Sequence, residues 1–78
     1  METTITIQGK TYRVTREDIL QAAKSQSPER IKTYYVELNG KRYPVKQLLR
    51  IATGTTKFFD SSSARSVLTK LHFDVKAL

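Results

Sequence analysis

The sequence predicts an α+β fold in which a small, mostly antiparallel sheet, built from two β-hairpins, has about three helices packed on it. Two stretches rich in alternating or β-branched residues each lead into a Gly-Lys pair, a pattern typical of β-hairpins. Three other stretches repeat apolar residues with helical spacing. The 78 residues include no cysteine, so neither a disulfide nor a thiolate metal site can support so small a core.

The first hairpin is predicted from residues 3–8 and 11–14, with a turn at Gly9-Lys10 between them. Apolar and polar residues alternate in both strands, as expected where one face of a strand is buried. The side chains predicted to point inward are Ile5, Ile7, Tyr12 and Val14.

A first helix is predicted from Thr15 to about Gln26. Thr15 is a favoured N-cap, and Glu17 and Asp18 fall in the first turn, where the helix dipole favours negative charge. The apolar spacing predicts burial of Ile19, Leu20 and Ala23. Pro28 disfavours helical geometry at the residue before it, and it is a suitable first residue for one further short helical turn.

The second hairpin is predicted from residues 33–38 and 41–43, which flank Asn39-Gly40, the best short hairpin-turn signal in the chain. Of its aromatic residues, Tyr34 is expected on the inner face and Tyr35 is expected to be accessible.

A second helix is predicted to have Pro44 at its first position and to end at Gly54. The link that follows, residues 55–59, is expected to be anchored to the core by Phe58, with Phe59 as a second candidate.

A third helix is predicted to be capped by Asp60 or Ser61, and residues 73–75 are expected to add a closing strand. In the second and third helices apolar residues recur at i, i+3, i+4 and i+7, which predicts one buried face on each. Those faces consist of Val45, Leu48, Leu49 and Ala52, and of Ala64, Val67, Leu68 and Leu71.

Both halves of the chain run from a strand through a Gly-Lys turn and a Tyr-containing strand into a helix. We interpret residues 1–78 as a single small basic domain with a β-hairpin-helix unit at 3–26 and again at 33–54, followed by a C-terminal helix at 61–72. Duplication and independent use of the same hairpin chemistry both explain two copies.

Charge is the strongest signal in the composition. Fourteen Lys and Arg residues against seven Asp and Glu give a net charge of +7. Between Leu38 and His72 there are seven basic residues and a single acid, Asp60. Such a field favours polyanions, because their binding releases condensed counterions. A basic surface that serves only solubility is the alternative.

The candidate anion-binding residues lie in this basic segment. Serines at the start of the third helix combine hydroxyls with free backbone N–H groups, which suits a phosphate, although Ser is also an ordinary N-cap residue. Lys46 and Arg50 lie one turn apart on an exposed face, where their mutual repulsion would be relieved by an anionic partner. The residues expected to contact nucleic acid are Lys41, Arg42, Lys46, Arg50, Lys57, Ser61, Ser62, Arg65 and Lys70.

The sequence offers little that supports catalysis. His72 is the only histidine, the acids are scattered, and the three glycines do not have phosphate-loop spacing. We therefore expect no enzyme activity, no cofactor and no metal. No apolar run reaches the roughly 18 residues of a membrane span, and the N-terminus lacks a secretory apolar region. We accordingly expect a cytoplasmic location and no membrane partner.

The second half of the chain resembles a small domain of bacterial restriction and defence proteins. The pattern is G-K-x-Y-P-x-K from Gly40, A-x-G from Ala52, and S-x-x-A-x-x-x-L-x-x-L-x-F from Ser61 to Phe73. It is similar to the N-terminal piece of some HNH-type, McrA-like, modification-dependent endonucleases. This chain carries no nuclease domain, and it has His72 where a glycine is expected. The resemblance therefore implies a DNA-associated accessory role rather than cutting.

Charge and resemblance together favour a small basic DNA-binding module, accessory to bacterial or phage defence or to regulation, that contacts the phosphate backbone. DNA is favoured over RNA as the partner. The alternative is a protein-interaction module that binds an acidic partner, as an adaptor or inhibitor of a nucleic-acid enzyme, or a nucleic-acid-mimicking protein. A protein partner or a homodimer is accordingly a second expectation for what the chain binds. A steep salt dependence would distinguish DNA binding from a protein complex.

Overall fold

The structure, a computed structural model, describes residues 1–78 and contains five strands and three helices. In chain order these are β1 (Glu2–Ile7), β2 (Lys10–Thr15), α1 (Arg16–Ser25), β3 (Tyr34–Leu38), β4 (Lys41–Pro44), α2 (Val45–Thr53), α3 (Ser61–Lys70) and β5 (Val75–Ala77). The predicted α+β class, the two hairpins and the three helices are confirmed.

The strands form two sheets, and the prediction that both hairpins build one sheet is wrong. β1 and β2 pair only with each other, in antiparallel fashion. β3 lies at the centre of a separate antiparallel sheet with the order β4-β3-β5. The backbone N–H of Leu78 also donates to the carbonyl of Thr33 at 2.9 Å, next to the β3–β5 ladder. The C-terminal strand therefore occupies the second edge of β3, and the first hairpin forms a sheet of its own.

Both hairpin turns place two consecutive residues at positive φ, which is the requirement of a type I′ turn. In the second hairpin these residues are Asn39 (φ 53°) and Gly40 (φ 76°), as predicted. In the first they are Gln8 (φ 48°) and Gly9 (φ 85°), one residue earlier than predicted. Lys10 belongs to β2, where it pairs with Ile7.

The helix ends follow local side-chain chemistry. Thr15 caps α1: its hydroxyl accepts from the backbone N–H of Asp18 at 3.1 Å, and the Asp18 carboxylate accepts from the backbone N–H of Thr15 at 2.9 Å. Gly54 ends α2 in the left-handed conformation, at φ 72°. The helical turn expected after Pro28 does not form, and Pro44 is the N-cap of α2 rather than its first residue.

α3 begins at its cap, Asp60, and ends in a Schellman arrangement. The N–H groups of His72 and Phe73 donate to the carbonyls of Thr69 at 2.9 Å and Leu68 at 3.0 Å. His72 has φ 66°, in the left-handed region that favours glycine. This is the position at which the resemblance leads us to expect a glycine.

One hydrophobic core joins all three helices to the sheets. Both predicted helix faces are buried, except that Ala52 is only half-buried. In α1 the burial of Ile19 and Ala23 is confirmed, whereas Leu20 is 36 % exposed and Ala22 is buried in its place. Ala22 lies three residues after Ile19 and shares its face, but Leu20 points about 100° away round the helix.

Two aromatic side chains, Tyr35 and Phe58, differ from expectation. Tyr35 is 8 % exposed, not accessible, because on the outer face of β3 it lies between its strand neighbours and carries the Arg42 guanidinium 5.0 Å from its ring centroid. Phe59 is the buried aromatic residue of the link after α2, at 8 % exposure, and Phe58 is 71 % exposed. The anchoring role predicted first for Phe58 therefore belongs to its neighbour.

Arg16 ties the start of α1 to the end of α3. Its Nη1 donates to the carbonyl oxygens of Leu71 at 2.9 Å and His72 at 3.2 Å. The same guanidinium lies 4.2 Å from the ring centroid of Phe73. Arg16 thus satisfies carbonyls that α3 leaves without helical partners and packs on an aromatic side chain at the same time.

Candidate nucleic-acid interface

A cleft of about 250 Å³ lies where the connection between α1 and β3 meets the starts of α2 and α3. Most of its lining is polar or charged. Four of the side chains around it are cationic and one is acidic: Arg30, Lys32, Lys46, Arg50 and Glu29. We refer to this hollow as the cationic cleft.

Gln47 positions the two walls of the cationic cleft. Its side chain is 1 % exposed, accepts from the backbone N–H of Glu29 at 2.8 Å and donates to the carbonyl of Ser27 at 2.9 Å. Because both ends of this buried amide are satisfied, the connection after α1 is fastened to the first turn of α2. Arg30 and Lys32 are thereby carried to the same hollow as Lys46.

Arg50 and Glu29 form the one ion pair of the cleft. The Arg50 Nη2 to Glu29 Oε1 distance is 2.7 Å, and the two side chains are 42 % and 52 % exposed. Arg30, Lys32 and Lys46 have no such partner. The field of the cleft is therefore positive, and its ion pair is exposed enough to exchange for an external anion.

Lys46 lies between the cationic cleft and the aromatic link. Its Nζ is 4.8 Å from the ring centroid of Phe58 and 5.8 Å from that of Phe59. The carboxyl group of Asp60 is nearby. The pKa of Asp60 is lowered chiefly by hydrogen bonds from the backbone N–H of Ser63, at 2.8 Å, and from its hydroxyl, and the Lys46 charge lowers it further.

The start of α2 adds to the positive field. Its N-cap is Pro44, which has no side chain able to accept a hydrogen bond, and the first turn contains no acid. The first turn instead contains Lys46. Because the positive end of the helix dipole and this lysine both border the cleft, an anion there is favoured by both.

Four of the residues predicted from the sequence meet at or beside the cleft. Lys46, Arg50 and Ser61 line it. Arg65 lies at its rim, where the guanidinium is 4.5 Å from the ring centroid of Tyr34, itself a lining residue. Ser62, in the same first turn of α3, is exposed and lies outside the lining.

The other four predicted residues lie elsewhere. Lys57 is exposed in the link, directly before Phe58. Arg42 stacks on Tyr35, on the outer face of the three-stranded sheet. Lys41 borders a different hollow, beside the end of α1, and Lys70 is exposed in the last turn of α3.

Sequence reasoning missed Arg30, Lys32 and Tyr34 as members of the cleft. Two of them belong to a connection without periodic structure, in the half of the chain whose charges nearly balance. The signal that could have identified Arg30 and Lys32 is the run Glu29-Arg30-Ile31-Lys32, which has three charges in four residues close before a strand.

The structure contains no group of three or more His, Cys, Asp or Glu side chains that could hold a metal ion. None of its helices is both long and apolar enough to cross a membrane. No family model, no curated protein and no solved structure matches the chain.

Proposed function

We propose that this chain is a small DNA-binding module that contacts phosphates through the cationic cleft, in an accessory role in bacterial defence or regulation. The observation that carries the proposal is the convergence of Arg30, Lys32, Lys46 and Arg50 on one hollow that contains a single acid. The four cations come from two separate segments, and a buried glutamine holds those segments together.

The energetics of this arrangement favour a polyanion. Like charges gathered on one surface repel, and an exposed face selected for stability alone would intersperse acids among them. A nucleic-acid backbone neutralises such a surface and releases the counterions condensed on it, which is the main source of sequence-independent binding. The remaining basic residues of the chain, spread over other faces, add long-range attraction.

The test is a titration of a labelled duplex, a single strand and an RNA of equal length at several salt concentrations. If four cations contact phosphates, the logarithm of the association constant should fall against the logarithm of salt concentration with a slope of roughly −3 to −4. Binding to none of the three at about 50 mM salt, where phosphate contacts are strong, would overturn the proposal.

An acidic protein partner is the other outcome that the same surface allows. It would give a saturable complex of fixed stoichiometry that survives moderate salt better than a phosphate-driven complex does. Pull-down of an acidic protein together with a flat salt response on DNA would move the assignment to that class.

A further inference from the structure

Phe58 is the most exposed aromatic side chain beside the cationic cleft, at 71 %. Two residues of the link, one on each side of Phe58 in the sequence, are buried: Thr55 is 6 % exposed and Phe59 is 8 % exposed. The link is therefore anchored on both sides of Phe58, and the ring is the part directed into solvent. A ring held outward in this way buries little apolar surface in the isolated chain, and its contact there is with the Lys46 ammonium.

Hydrogen bonds hold this part of the link in place. The hydroxyl of Thr55 accepts from the backbone N–H of Lys57 at 3.1 Å. The carbonyl of Phe58 accepts from Nε2 of Gln8, in the first hairpin turn, at 3.2 Å. The ring is thus presented by an ordered backbone, so that little conformational entropy is lost when a ligand packs on it.

Lys46 connects this ring to the cationic cleft. Its side chain lines the cleft, and its Nζ lies 4.8 Å from the Phe58 ring centroid. Lys57 immediately precedes the ring in sequence and is also exposed. An aromatic surface with cations beside it matches a nucleotide, in which a flat base is joined to a phosphate a few ångströms away.

We propose that the favoured target is single-stranded DNA, with one unpaired base stacked on Phe58 and the neighbouring phosphates in the cationic cleft. This inference rests on the proposed function and assigns the form of nucleic acid that it uses. In a duplex the faces of the bases are covered by their neighbours, so a fixed aromatic ring reaches only the backbone. An unpaired base offers its face, and stacking tolerates any sequence because every base has one.

The experiment compares Phe58→Leu with the unaltered chain on a labelled oligothymidine and on a duplex of the same length, at one salt concentration. Leucine keeps the apolar character of the position but cannot stack. We expect the affinity for the single strand to fall about tenfold, the effect of losing one stacked base, and the affinity for the duplex to change little. Because the ring is exposed, the melting temperature of the variant should match that of the unaltered chain.

A second variant gives a direct signal. The chain contains no tryptophan, so in Phe58→Trp the emission excited selectively, at wavelengths that its four tyrosines do not absorb, comes from position 58 alone. Stacking on a base should quench it and should leave single-strand affinity equal to or above that of the unaltered chain.

The outcomes separate the inference from the proposed function. If the unaltered chain binds neither DNA, both are overturned. If it binds and Phe58→Leu costs nothing, or costs the same on both DNAs, the stacking assignment is overturned while phosphate binding stands. A loss confined to the duplex also overturns it, because the ring would then act as a wedge between paired bases.

Discussion

α1 and α2 both follow a β-hairpin, yet their N-termini are built in opposite ways. At the start of α1, Thr15 and Asp18 close a reciprocal pair of hydrogen bonds, and two acids occupy the first turn. At the start of α2 the N-cap is Pro44, no side chain accepts from the first turn, and the charged residue there is Lys46. The capped start of α1 stabilises its helix, whereas the uncapped start of α2 leaves a positive field that borders the cationic cleft.

The difference is that α2 lacks a stabilising contribution that α1 has. A side-chain cap contributes about 0.5–2 kcal/mol, and α2 forgoes it. α2 is held instead by its apolar face, since Val45, Leu48 and Leu49 are at most 2 % exposed. Helical stability in proteins comes mainly from such packing, so an uncapped end beside a site is tolerated.

The largest expected effect tests whether the two β-hairpin-helix units, which contain α1 and α2, share one hydrophobic core. Ile19 in α1 and Leu49 in α2 are both 0 % exposed. We expect Ile19→Ala and Leu49→Ala each to lower the free energy of unfolding by about 2–4 kcal/mol, measured by thermal or denaturant unfolding. A neutral result in one helix alone would mean that the two units are stabilised separately.

Arg16 provides the next comparison, because it is a cation used for the fold rather than for the cleft. Arg16→Ala removes two hydrogen bonds to the end of α3 and the stacking on Phe73, so we expect a loss of about 1–2 kcal/mol with little change in DNA affinity.

The matched control for Arg16 is Arg13→Ala. The side chain of Arg13 forms an exposed ion pair with Glu2 at 3.6 Å, and its loss should cost no more than about 0.5 kcal/mol. A melt of Arg16→Ala no lower than that of Arg13→Ala would show that the tie to α3 contributes nothing.

The ends of α2 and α3 share a backbone conformation and differ in the residue that adopts it. At both ends the chain leaves the helix through a residue in the left-handed conformation. This residue is Gly54 after α2 and His72 after α3. Since histidine lacks the freedom of glycine there, His72→Gly should raise stability by about 1 kcal/mol in unfolding experiments. Asn39 also has a positive φ, but asparagine tolerates the left-handed region better than histidine does. Asn39→Gly should therefore raise the free energy of unfolding by less than His72→Gly. A destabilised His72→Gly would contradict this interpretation.

The elements themselves could be read from local signals. Thr15, Asn39-Gly40 and Gly54 mark ends and turns through conformations that only a few residue types adopt. The division into two sheets could not be predicted from the sequence, because strand periodicity identifies each strand but does not say which strand pairs with the second edge of β3. Likewise, only tertiary packing decides which of Phe58 and Phe59 turns inward.

The cleft was predictable where it is made of regular structure. Lys46 and Arg50 are on one helix face, and Ser61 starts the next helix, so their offsets from the apolar positions restrict their directions. Arg30 and Lys32 lie in a connection whose path depends on two hydrogen bonds to Gln47. No sequence rule assigns those bonds, and the pairing of Arg50 with Glu29 was missed for the same reason.

The smallest expected effect concerns Asp60, the acidic cap of α3. Its lowered pKa means that it stabilises the folded chain at pH values above the pKa of the unfolded state, and that this contribution is lost as the pH falls below about 4. Asp60→Asn keeps a good cap that does not titrate. The melting temperature of the unaltered chain should therefore fall relative to that of Asp60→Asn between pH 5 and about pH 3. A constant difference across that range would refute the role of the charge.

The central claim is that the positive end of α2 belongs to a binding face, and the most direct test is the salt dependence of DNA affinity for two charge-matched double variants. Lys46→Gln with Arg50→Gln removes two cations of the cleft, and Lys24→Gln with Lys76→Gln removes two exposed cations elsewhere. We expect the first pair to make the salt slope shallower by about 2 with a nearly unchanged melt, and the second to leave the slope almost intact. Equal slopes for the two pairs would show that net charge alone attracts DNA, and the cationic cleft would no longer be the site.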